Sequence, residues 1–301
     1  MIDMAGSKKD KVQKGLAQRA SGPLSRKTST VTVGALERAL LKEFPAADAE
    51  AWDRTGMTVG DPARLVEGVA VALDPTVDAV EEAASMGANV LVTHHPAFLQ
   101  PPDSFSPASS VAANPGALVW AAVARGVALL SYHTALDVSA QAQRVLPGML
   151  NLQFRSVEVP LASSKRKGYG QRCTVKAGDG PLTLGQLAAR CTSVFARQPR
   201  VWGDFSRELE RVVTTTGSAG DVAATALRDQ VDCLVCGEIK YHEALALSQA
   251  GLTIVELGHD TSELPLAAVL AAAVEGAGVP GELITIIDQG DNWSYPETTR
   301  V

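Results

Sequence analysis

A chain of 301 residues, 46% of them hydrophobic, is long enough to bury a sizeable core as one large domain or two intimate ones, which excludes a disordered protein. The formal net charge of −6 argues against general nucleic-acid binding, and the distribution sharpens this: residues 1–30 carry seven Lys/Arg against two Asp/Glu, leaving twenty against thirty-one in the remainder. Four cysteines are too few for a disulfide scaffold, and no apolar stretch approaches the roughly twenty uncharged residues of a membrane span.

Residues 1–30 are rich in Lys, Ser, Gly and Gln, have no apolar signal-peptide core, and read as a disordered basic arm. An organelle transit peptide is the alternative, opposed by Asp3 and Asp10. With the cysteine usage this places the protein in a reducing cytoplasm. Leu36, Ala39, Leu40, Leu41 and Phe44 then recur at helical spacing up to Pro45. After Pro62 the pattern predicts a strand over 68–73, a helix over 76–86 stopped by Gly87, and a strand over 89–93. A loop over 99–115, long enough to be a lid, precedes a helix over 116–125 and a strand over 127–132.

The same order returns in the second half: strand 211–215, helix 221–230, strand 232–236, helix 241–249, strand 252–257. Asn89-Val90-Leu91-Val92 aligns with Asp232-Cys233-Leu234-Val235, and 126–133 with 251–259. The fold class expected is therefore α/β, with two similar lobes from a duplicated unit and a shared cleft at their strand ends. The expected division is an arm over 1–30, a first lobe over 31–150, a connecting region over 151–210 with a helix from 183 to 190, and a second lobe over 211–301. Cys233-Leu234-Val235-Cys236 has a CxxC spacing but sits in a buried-strand pattern, so packing thiols are the better reading.

The chemistry gathers at strand ends. Thr93-His94-His95-Pro96 closes the run Val90-Leu91-Val92 with two imidazoles and a residue that cannot continue a ladder. There are five histidines, and the remaining three, His133, His242 and His259, also follow or adjoin apolar runs. His94, His95, Asp137, His259 and Glu263 offer three imidazoles and two carboxylates, a donor set suited to Zn, Fe or Mn. Side chains at adjacent positions diverge, so His94 and His95 suit two divalent metal ions better than one, with a carboxylate bridging them. His259 and Glu263, four apart, fit one face of a helical turn. His133, Glu238 and His242 are candidates to handle protons beside the metals. Lys165-Arg166-Lys167 reads as a solvated loop or, more sharply, a landing site for a phosphate. Trp52 and Asp53 brace an N-terminal loop.

The order Trp52-Asp53, Gly56, Val59-Gly60-Asp61-Pro62, His94-His95-Pro96, His133-Thr134-Ala135-Leu136-Asp137, Gly237-Glu238-Ile239-Lys240-Tyr241-His242-Glu243 and Gly258-His259 with Glu263 resembles the NIF-three-like proteins (Ngg-one-interacting factor three). That family is also labelled GTP cyclohydrolase I type 2 homologue. The resemblance implies a NIF-three-like α/β fold, a dinuclear metal centre held by His94, His95, Asp137, His259 and Glu263, and ring-shaped homohexamers. It further implies a metal-dependent hydrolase using a metal-bridging water on a nucleotide-like small molecule; hydropathy argues against a membrane partner, and nucleic-acid binding through the basic arm is a third reading, opposed by the acidic net charge. A non-catalytic metal-binding, metal-delivery or scaffold protein is the alternative. The chain departs from the family pattern at Arg54 and Ala135, where Asn is usual, in lacking a glycine-rich turn after Asp137, and in having no extra inserted domain.

Overall fold

The computed structural model describes residues 29–109, 114, 116–176, 180–290 and 292–293, so most of the expected basic arm lies outside the described residues. Thr32 opens helix α1 (Val33–Glu43) as its N-cap, its side chain accepting from Ala35 N at 3.2 Å. In chain order follow β1 (Gly56–Val59), β2 (Val69–Ala72), α2 (Val77–Ser85), β3 (Val90–Thr93), α3 (Ala117–Arg125), β4 (Ala128–Ser131) and the short α4 (Thr134–Asp137). Next come α5 (Val145–Met149), β5 (Leu152–Leu161), β6 (Ser164–Val175), β7 (Leu182–Thr183), α6 (Leu184–Phe195), β8 (Arg200–Trp202) and β9 (Glu208–Leu209). The remainder is β10 (Arg211–Thr214), α7 (Gly220–Arg228), β11 (Cys233–Cys236), α8 (Tyr241–Gln249), β12 (Thr253–Glu256), α9 (His259–Glu263), α10 (Leu266–Gly276) and β13 (Ile284–Ile286).

Two mixed sheets organise these elements. The first has the order β1-β4-β3-β2-β13, and the second β5-β6-β10-β11-β12-β8. Each has a parallel triplet at its centre, β2-β3-β4 in one and β10-β11-β12 in the other, with helices on both faces. Strands covered on both faces are near-continuous apolar runs, and every residue of β2, β3, β4, β11 and β12 is buried, the polar ones at strand termini. The two-residue period then sorts them. Val69 and Val71 join Leu36 and Leu40 of α1 and Leu266 and Leu270 of α10 in one core, while Ala70 and Ala72 face Val80 of α2 and Ala122 of α3 in another. In the second sheet Val212, Cys233 and Val235 pack under α6, and Val213, Leu234 and Cys236 under α7 and α8. All four cysteines are buried and unpaired as disulfides, and burial pushes the Cys233 thiol up to about 12, as packing groups should be.

The domain boundaries differ from those expected. The region 151–210 is no connector: β5, β6 and β8 are strands of the second sheet and α6 covers one of its faces. Residues 165–167 belong to β6 rather than to a free loop. The chain also returns after α9, since α10 and β13 pack on the first sheet and β13 pairs parallel with β2, Ile284 opposite Val69. A sequence period says that a segment is a helix or an edge strand but not which of two similar apolar faces it covers. Among the described residues no helix is long and apolar enough to cross a membrane.

Candidate metal centre

The Thr93-His94-His95 turn is held open by its own strand. Thr93 Oγ1 donates to the His95 carbonyl at 2.7 Å, while His94 N and His95 N donate to Ala72 O and Leu73 O, carrying the β2 ladder past the end of β3. Both rings therefore stand beyond the carboxyl edge of the parallel triplet, His94 fully buried and His95 partly so, with centroids 4.9 Å apart. From β4, the short α4 places His133 just before its first residue and Asp137 at its last. From β12, α9 presents His259 and Glu263 one turn apart on one face.

All five residues expected to bind metal meet here, together with His133. Three groups bring ligand atoms within 4.8 Å of one another: His94, Asp137 and Glu263; His95, His259 and Glu263; and His94, His95 and His133. Glu263 belongs to the first two through different oxygens. Its Oε1 lies 3.6 Å from His94 Nε2, which is also 3.6 Å from Asp137 Oδ1. Its Oε2 lies 3.1 Å from both His95 Nε2 and His259 Nε2. The close approach of Gly217 leaves room for this carboxylate, because a Cβ there would sit 2.3 Å from Oε1 and its φ is +57°.

The electrostatics are those of a site with too few protons and too many donors. Burial opposes ionisation of Glu263, but the imidazoles of His94, His259 and His95 outweigh it and hold the carboxyl well below its usual range. Burial likewise disfavours a charged His95, yet Asp74 and Glu263 raise it to about 10; Glu263 raises His259 to about 9. Burial raises Asp137. Despite this crowding, Glu263 Oε2 and both ring nitrogens of His94 are buried without a hydrogen-bond partner among the described residues. Buried polar atoms left in that state are costly, and a cation between a carboxylate and two imidazoles supplies what they lack. The residues therefore fit a metal.

Around the cluster, second contacts orient the rings. Asp74 Oδ1 is 2.7 Å from His95 Nδ1, Glu238 Oε1 is 3.1 Å from His259 Nδ1, and Asp53 Oδ1 is 3.2 Å from His133 Nδ1. Asp53 is held ionised, against its burial, by His133 and by Thr134, whose backbone N donates to Oδ2 at 2.9 Å. A carboxylate on one imidazole nitrogen fixes the tautomer and leaves the other nitrogen to a ligand. Trp52 stands edge-on to His133 at 5.7 Å. The sequence suggests for Asp53 a bracing role first and entry into the site second, and carries no expectation for Asp74. The available signal was the position of Asp74 two residues past β2, the same strand-end location as His95 past β3.

A cavity of about 730 Å³ opens from the cluster, with His133, Asp137, His259 and Glu263 at one end. Tyr169 and Leu161 of the β5–β6 hairpin and Ser218 at the foot of α7 also line it. That volume suits a small organic molecule. Lys165, Arg166 and Lys167 do not line it, and Lys167 is paired with Asp48, so the cavity offers no support for a phosphate landing there. The described part of the 99–115 loop likewise contributes none of its lining. Nor does His242 reach the cluster. It is exposed on the first turn of α8 with its ring 5.2 Å from Tyr241, because the buried face of α8 is set by Ala244 and Leu247 and position 242 lies on the opposite side.

Known proteins place this arrangement. A protein from Streptomyces coelicolor named GTP cyclohydrolase 1 type 2 homolog is 31% identical over 242 residues, covering 77% of this chain and 81% of that protein. A Clostridium acetobutylicum protein of the same name is 25% identical, covering 79% and 88%. Among solved structures, the Staphylococcus aureus hypothetical protein SA1388 superposes with a TM-score of 0.78 at 21% identity, over 88% of this chain and 99% of its own. The Bacillus cereus protein related to NIF3 gives 0.74 at 18% identity, over 90% and 99%. At these identities the structures speak for the fold alone. The family model for Duf34/NIF3 (NGG1p interacting factor 3) matches residues 31–287, and the chain belongs to that family.

Proposed function

We propose that the cluster holds two divalent metal ions, Zn, Fe or Mn, and that the chain is a metal-dependent hydrolase acting on a nucleotide-like small molecule. The observation that carries this reading is Glu263, a buried carboxylate whose two oxygens face separate pairs of donors, His94 with Asp137 and His95 with His259. In it, His94, Asp137 and Glu263 would hold one ion, and His95, His259 and Glu263 the other. Ions so held would supply an activated water and positive charge against a developing oxyanion.

The chain's own groups do the rest. Asp53 anchors His133 through Nδ1, so the remaining ring nitrogen is the one available to take up or release a proton next to His94 and His95. Glu238 orients His259, and Asp74 orients His95. Val159, Pro160 and Leu161 of the β5–β6 hairpin give the cavity an apolar wall against which a substrate could pack. The names of the two relatives support a purine nucleotide whose imidazole ring is opened by water, and a phosphate ester would use the same chemistry. The reading includes a homo-oligomer, a ring of six as the family resemblance implies, in the cytoplasm.

The test is metal content by mass spectrometry on protein prepared without a chelating tag, followed by turnover of a nucleotide panel including GTP and a phosphodiester. The expected result is about two ions per chain, fewer in His94→Ala, and a turnover that His95→Ala abolishes. Tight metal binding with no turnover across the panel would replace the hydrolase with a metal-binding or metal-delivery protein. No ion bound even from excess Zn²⁺, Fe²⁺ or Mn²⁺ would overturn the centre itself.

A further inference from the structure

Resting on the metal-site reading, we infer that the described residues 287–290 and 292–293 form a strap that sets the distance between the two halves of the centre, with Gln289 and Arg197 as positioning residues. After β13 the chain runs along the end of β2 rather than leaving the domain, with Ile287 N donating to Val71 O at 2.8 Å. Gln289, 7% exposed, then uses its whole side-chain amide on one residue pair: Oε1 accepts from Leu73 N at 2.9 Å and Asp74 N at 2.8 Å, and Nε2 donates to Asp74 O at 3.0 Å. These bonds fix the backbone of Asp74, whose Oδ1 is 2.7 Å from His95 Nδ1. The strap thereby fixes which nitrogen of His95 faces Glu263.

The next turn of the strap reaches the other half. Arg197, just past the end of α6, donates from Nη2 to Gly290 O at 2.9 Å and from Nη1 to Asp260 Oδ2 at 2.8 Å and Thr261 Oγ1 at 2.7 Å. Its guanidinium lies 4.2 Å over the Trp293 ring, and Trp293 Nε1 donates to Asp260 Oδ2 at 3.0 Å. Asp260 and Thr261 lie within α9, between His259 and Glu263. One short segment thus grips the orienting carboxylate of His95 at one end and the helix carrying His259 and Glu263 at the other. The plain alternative is that it only finishes the edge of the first sheet. That role would lower the melting temperature on mutation without changing how the site binds metal.

The two roles separate in full-length Gln289→Met and Arg197→Met, compared with wild type by Zn²⁺ affinity in chelator competition and by the visible spectrum of the Co²⁺-loaded protein. Each variant is expected to retain its fold by circular dichroism, to lose about tenfold in Zn²⁺ affinity, the low end of the cost of removing a direct outer partner of a metal ligand because each acts one contact further out, and to show altered Co²⁺ bands. Gln289→Glu keeps the acceptor for Leu73 N and Asp74 N and is expected to recover part of the affinity. Wild-type affinity and spectrum in folded Gln289→Met and Arg197→Met would overturn the strap while leaving the metal site standing. Wild type that binds neither ion would overturn the site instead. Should Gln289→Met fail to fold, Trp293→Ala, at an exposed position, carries the same test, and unchanged Zn²⁺ affinity there would overturn the proposal.

Discussion

The two sheets present equivalent strand ends to one site and use them differently. The two positions after β3 are His94 and His95; the matching positions after β11 are Gly237 and Glu238. His94 fills its slot and is fully buried, whereas a Cβ on Gly237 would lie 2.4 Å from the Gly217 carbonyl and 2.5 Å from Ser262 Oγ. The second slot is closed by backbone, with Gly258 N donating to Gly237 O at 2.8 Å and Gly217 N to Ser262 Oγ at 2.9 Å. The first half supplies imidazoles from its middle strand, and the second uses the same place to seat α9. Open ends of parallel strands are available for chemistry, and here one of the two turns is filled by backbone instead.

The comparison breaks most severely at Glu263, where the halves meet. Glu263→Gln is expected to abolish the proposed metal binding and to lower the unfolding free energy of the metal-free protein by about 3–5 kcal/mol, since buried imidazoles lose their counter-charge. Urea denaturation and metal analysis read both effects, and an unchanged midpoint with metal retained would show that the halves do not meet there. Next in size, Gly237→Ala should cost about 1–3 kcal/mol by forcing backbone apart. A thermal midpoint equal to wild type would mean that the second slot is as open as the first.

Proton linkage sharpens the comparison. In the metal-free protein Asp74 and Glu263 hold His95 at about 10 and Glu263 holds His259 at about 9, against an unfolded value of about 6.5. Folded values above the unfolded ones mean that this contribution to stability is complete below about pH 6.5 and lost as pH rises through about 9–10. The melting temperature of metal-free protein should therefore fall over that window. Metal must displace these protons, so its affinity should rise with pH by roughly tenfold per unit for each proton released. Calorimetric titration of Zn²⁺ in buffers of different ionisation enthalpy counts those protons; none released would show both rings neutral. The smallest effect is expected at His242, where alanine should change stability by no more than about 0.5 kcal/mol and leave metal content at the wild-type value. A loss of metal in His242→Ala would place it in the site after all.

Much of this was legible in the residue order. Strand and helix periods, with Gly87, Gly126 and Gly251 as stops, mark the parallel units in both halves, and a strand that ends in Thr93-His94-His95-Pro96 announces where its imidazoles must stand. His259 and Glu263 could be paired because a helical turn brings positions four apart onto one face, whatever surrounds it. These are local rules, and a sequence carries local rules completely. What the tertiary structure decided was every choice between equivalent surfaces: that α10 and β13 return to the first sheet, that β5, β6 and β8 extend the second, that Asp74 and Asp53 back the imidazoles, and that His242 turns to solvent. Each of these depends on which apolar face is covered by which segment. Many segments carry the same period, so the selection is made by packing and by the buried charges of Glu263 and its partners, and neither is visible until the chain is folded.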